Sequence, residues 1–117
     1  MRIALLAFPA VLLAIGGVMH LSAFAKAAAA AAGSNIPPFF GNALKALWLM
    51  DSCGMFVLAA VCVTLLLRPE MASGTVIALL SLIPFSTAAL LYFFIGNFFA
   101  AHMLTAAGLS MAAAALR

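Results

Sequence analysis

Any chemistry in this chain turns on Asp51. It lies in ALWLMDSCGMF, residues 46–56, with apolar sequence on both sides, and the only other acid is Glu70. A carboxylate at the centre of a bilayer costs about 3 kcal/mol or more, so Asp51 is expected to point into protein and to have a partner. His20 and His102 are the candidate partners, with Lys45 a third nearer the membrane surface. Tyr92 and Asn97 bracket the turn that leads to His102. His20, Asp51, Tyr92, Asn97 and His102 therefore form an expected polar cluster that binds a ligand or pairs helices. An Asp–His pair there can pin two helices, hold a cation, move protons or orient a polar head group.

Two ligand classes can be weighed on residue type. His20, His102 and Asp51 are the candidate metal ligands, and Met19, Met50, Cys53, Met55 and Met103 put soft sulfur next to them in sequence. Thioether with imidazole suits copper. Adjacent helical residues point about 100° apart, however, so a Met-His dipeptide presents both ligands to one ion poorly. Haem is the second class, because two histidines from different helices at similar depth can serve as axial ligands. No attachment motif accompanies them, and the residues do not single out a cofactor. Catalytic signatures are also missing: there is no HExxH, no glycine-rich phosphate loop and no nucleophile with a base at motif spacing.

The elements that must carry these side chains follow from composition. Of 117 residues, 69% are hydrophobic and 6% charged, whereas a water-exposed domain carries about a quarter charged residues. Lipid is the solvent that such a surface suits. The expected fold is all-α: one integral membrane domain over residues 1–117, a bundle of four transmembrane helices whose loops are short except the first. The helices are expected at about 3–25 with an extension to 32, 43–67, 75–95 and 98–116. Each covers a hydrocarbon core that needs about 20 residues, and isolated strands would leave unpaired backbone in lipid. The first run resembles a signal peptide in its basic start and Ala-Phe-Ala ending, but it is longer than such a core and is read as a retained helix.

Charge sets the orientation. If all four runs cross, Arg2, Arg68 and Arg117 share one side and Lys26 and Lys45 the other. The arginine side is expected in the cytoplasm with both termini, in a bacterial inner membrane. Asp51 is then about 12 Å into the second helix, and the ionisable and strongly pairing groups gather in the outer half. A net charge of +3 from scattered residues makes no nucleic-acid patch.

Local signals complete the reading. Six alanines after Lys26 favour helix, with Gly33 as a stop, and Pro37-Pro38 is expected to hold an extended turn before the interfacial pair Phe39-Phe40. Pro84 should kink the third helix and free a carbonyl for Ser81, Ser86 or Thr87. Gly16-Gly17, Gly54 and the small residues Ala107, Ser110 and Ala114 offer close helix contacts. Cys53 and Cys62, about 13 Å apart along one helix, cannot join each other and are read as small apolar filler, with Cys62 on the core face. A continuous pore is disfavoured by the aliphatic cytoplasmic half. The leading functional expectation is a non-catalytic accessory or scaffold subunit of a larger membrane complex, in contact with lipid and with other subunits or copies of itself. The alternative is a binding protein for a metal, haem or lipidic small molecule (quinone, pigment or lipid) at the Asp51/His20/His102 site.

Overall fold

The computed structural model describes residues 2–117, with side chains from residue 4 onward, so the Arg2 side chain used for orientation lies outside the described residues. The chain is all-helical, with no strand among those residues. Its elements are α1 (Arg2–Ser22), α2 (Phe24–Ala32), α3 (Pro38–Leu67), α4 (Gly74–Phe94) and α5 (Phe99–Ala115), with a 3-10 turn at Pro69–Met71. Residues 4–32, 38–67 and 74–94 are each long and apolar enough to cross a membrane, while α5 is apolar but shorter, at 17 residues.

The helix ends have local causes. α1 and α2 form a nearly continuous helix interrupted only at Ala23, whose N–H still donates to the Met19 carbonyl. α2 stops at Gly33 without a left-handed residue (φ −85°). α3 starts at Pro38, several residues before the expected start near 43, because proline at a first helical position has its φ preset and needs no hydrogen-bond acceptor. Phe39 and Phe40 consequently belong to the first turn of α3 rather than to an extended segment, and both remain exposed. The Ser73 side chain caps α4 by accepting from the Val76 N–H. Gly96, at φ 88°, ends α4 in the left-handed form and bonds back to Leu91 and Tyr92 carbonyls.

α3 packs on α1, α1 on α5 and α5 on α4, while α3 and α4 share no comparable contact although they are consecutive in the chain. The fold has two ends. The chain termini and the α3–α4 connection lie at one; the first loop and the α4–α5 turn lie at the other, the first-loop end. Leu6, Leu13, Leu58, Cys62, Ile77 and Met111 are buried in the core, together with small residues. Ala107 and Ala114 are fully buried on α5, where Gly108 admits the Phe85 ring, 3.0 Å from any added Cβ. Gly17 likewise accommodates Phe56. Gly54 is different: it has open space at its Cβ position and faces outward, as does Cys53, so neither is core filler.

Two prolines are buried inside helices, with opposite consequences. Pro9 cannot donate to the Leu5 carbonyl, and Ser110 of α5 donates to that carbonyl at 2.8 Å. A gap in one helix ladder thereby becomes an interhelical bond. Pro84 frees the Leu80 carbonyl in the same way, but the expected rescue does not occur. Ser81 donates to Ala78, and both Ser86 and Thr87 donate to Ile83.

Ser110→Ala is expected to destabilise the detergent-solubilised protein by about 0.6–1.7 kcal/mol, the range of interhelical hydrogen bonds in membranes. In a Pro9→Ala background the loss should shrink, since residue 9 regains its N–H. Equal losses in both backgrounds, measured by denaturant titration, would refute the coupling.

Candidate functional site

The site grows from one face of α3. Trp48, Asp51 and Ser52 stand three and four residues apart, which aligns them on a single helical face. Met55, Leu58, Cys62 and Leu65 continue that stripe and are buried. Its polar end meets His20, in the last turn of α1.

His20 is held on several sides. Its ring stacks on Trp48, with centroids 4.3 Å apart and planes 12° from parallel. The Trp48 indole N–H donates to the His20 carbonyl at 2.7 Å, satisfying a backbone acceptor at the α1 end. Nδ1 lies 2.9 Å from Ser52 Oγ, and Ser52 is buried. Nε2 lies 3.6 Å from Asp51 Oδ2. That is too long for a hydrogen bond, and the contact is an ion pair only when the ring is protonated.

These contacts restrict the proton positions. Ser52 has one hydroxyl proton and two neighbours, His20 Nδ1 and the Trp48 carbonyl at 3.2 Å. A neutral ring protonated at Nε2 presents N–H to the carboxylate and accepts from Ser52. A charged ring donates at both nitrogens, and Ser52 then donates to Trp48. The remaining tautomer would point a bare nitrogen lone pair at an ionised carboxylate. An ionised Asp51 therefore favours a proton on Nε2 in either charge state. The Asp51 carboxylate makes no hydrogen bond within the chain among the described residues.

His20 and Asp51 border a cavity of about 600 Å³ between α1, α3 and α5, bounded also by the end of α4. Leu12, Leu13, Met55, Leu91, Phe98, Phe99 and Met103 contribute to its walls. Among the described residues, His20, Trp48 and Asp51 supply its only polar side chains. Gly16 contributes by its lack of a side chain, since a Cβ there would sit 3.3 Å from Met55 Sδ.

The five residues expected to cluster divide into two groups. His20 and Asp51 belong to the cavity. Tyr92, Asn97 and His102 form a separate chain on the exposed surface of the α4–α5 turn: the Tyr92 hydroxyl lies 2.7 Å from His102 Nδ1, and His102 Nε2 contacts Asn97 Oδ1. With the asparagine oxygen as acceptor, Nε2 donates and Nδ1 accepts from Tyr92. Both nitrogens of His102 are thus engaged in bridging the turn. Neither His102 nor Lys45 lies within ion-pair distance of Asp51 among the described residues. Among the described residues, no group of three or more His, Cys, Asp or Glu gathers as a potential metal site. Trp48 and Ser52 were not among the expected site residues, although their spacing from Asp51 was a usable signal.

Comparisons with protein-family models, curated proteins and solved structures find no match.

The chain has two histidines, so the two groups can be followed separately by imidazole NMR. Ser52→Ala should shift the His20 resonances and leave those of His102 unchanged. Tyr92→Phe should do the reverse, at a stability cost of about 1 kcal/mol. Shifts of both rings in both variants would show one coupled cluster.

Proposed function

We propose that this integral membrane protein binds a lipid-borne amphipathic molecule, with its polar head at His20 and Asp51 and its apolar part in the cavity. The observation that carries this reading is the cavity's asymmetry: apolar walls lead to a single polar end. Binding pockets commonly combine such walls with a few orienting polar groups, at volumes of about 300–1,000 Å³.

The polar end favours a particular head group. A hydroxyl oxygen placed beside the 3.6 Å gap can accept from His20 Nε2 and donate to Asp51 at about 2.8 Å each. An alcohol, phenol or hydroquinone meets both demands with one atom. An amide can meet them with its carbonyl and N–H. A bis-histidine haem is less well supported, because both ring nitrogens of His102 already have partners.

The wider setting belongs to the same proposal. With both termini in the cytoplasm, the site occupies the outer half of a bacterial inner membrane. Short loops and a lipid-matched exterior also suit an accessory subunit that holds such a molecule for a larger assembly, alongside other subunits or further copies of itself. The cavity gives the binding role a specific location, which the subunit role lacks.

Purification in mild detergent, organic extraction and mass analysis test the reading. The wild-type protein should retain a hydroxyl-, hydroquinone- or amide-headed compound near equimolar amount. Asp51→Asn should lose most of it, by about tenfold or more, while still eluting as a folded bundle; loss of one charge-assisted hydrogen bond costs about 1.5–3 kcal/mol. Retention unchanged in both Asp51→Asn and Asp51→Leu, or nothing retained by the wild type, would count against it.

A further inference from the structure

A second, smaller cavity of about 290 Å³ lies between α2 and the first turns of α3. Ala27, Ala28 and Ala31 line its α2 side, and Leu44, Lys45 and Trp48 its α3 side. The alanines leave room that larger side chains would fill. Lys45 is half-buried in this groove, one turn before Trp48.

Lys45 has no acidic partner within the described chain. There are five lysines and arginines against two acids. Asp51 is engaged with His20 and Glu70 with Arg68, at opposite ends of the bundle. A half-buried ammonium bordering an apolar groove gains most from an anion that brings its own apolar body. A membrane supplies such a partner at the level where exposed Phe39 and Phe40 place this end of α3 among lipid head groups.

We propose that the groove between α2 and α3 is a binding site for an anionic phospholipid, with the phosphate against Lys45 and the first acyl carbons on the alanine surface of α2. It is independent of the His20–Asp51 cavity, although Trp48 borders both. A lysine near a membrane surface contributes about 1 kcal/mol of attraction to anionic lipid, or roughly fivefold in occupancy.

Trp48 is the only tryptophan, so its fluorescence reports on the groove directly. The full chain is reconstituted in phosphatidylcholine vesicles containing a minor fraction of either brominated-chain phosphatidylglycerol or brominated-chain phosphatidylcholine. Brominated phosphatidylglycerol should quench Trp48 several times more strongly at equal content. Lys45→Gln should remove that preference, whereas Lys45→Arg and Lys26→Gln should keep it, Lys26 being exposed and outside the groove. Bromine reaching Trp48 through the inner cavity would quench irrespective of head-group charge, so the ratio between the two lipids isolates the groove. Equal quenching by both lipids in the wild type overturns the proposal, as does a preference that survives Lys45→Gln. If inorganic phosphate abolishes the preference, the groove takes a free anion instead and the lipid assignment falls. Should Lys45→Gln fail to fold, the wild-type ratio and its loss or retention in Lys45→Arg still decide the matter: a preference absent from either overturns the proposal.

Discussion

Hydrocarbon offers no hydrogen bonds, and that one deficiency governs how this molecule is put together. Each polar group within the apolar spans must find its partner in the chain or face protein instead of lipid. Thr64 and Thr105 do so locally, by donating to carbonyls one turn back on their own helices. Ser110 does so at a distance, meeting the carbonyl that Pro9 leaves open. Trp48 satisfies a carbonyl where α1 gives way to α2. Satisfying polar groups and choosing neighbours are therefore partly the same event, because two of these bonds join α1 to another helix.

Dispersion does the remaining work. Lipid tails are as apolar as leucine, so helices associate through close contact rather than through removal from water. The backbone of α5 can approach its neighbours because alanine and glycine occupy four of its seven buried positions. Nearer the first-loop end the helices leave the main cavity, lined by Gly16 and Ala100 as well as by larger apolar residues. The arrangement α3–α1–α5–α4 puts α1 and α5 centrally and gives α3 and α4 fewer neighbours. Polar residues on the inner face of α3 consequently border a space instead of a tightly packed helix.

Composition and run length made the all-helical membrane fold legible, because few alternatives can absorb so much apolar sequence. Rotation was legible for α3, whose Cys62 was expected on the core face and is buried there, but not for α4 and α5. A helix that is apolar all round has no face to read, so the direction of His102 was not legible. That is why a single expected cluster divides into an inward pair and an outward clasp. Ser52 and Trp48 were obscured for another reason: neither ionises, and their significance lies in spacing from Asp51. The bond from Ser110 depends on Pro9 about a hundred residues earlier, a link that no local window contains. The early start of α3 at Pro38 was, by contrast, available in principle from proline's preference for first helical positions.

The helices are unequal in length. At 30 residues α3 reaches about 45 Å, whereas the 17 residues of α5 reach about 25 Å. A flat hydrocarbon slab about 30 Å thick cannot match both when they stand upright. In such a slab α3 would have to tilt or extend its first turns beyond it, and the lipid beside α5 would have to thin. One flank of the protein is then suited to a thicker membrane than the other. Such an object would impose a gradient of thickness on the lipid around it.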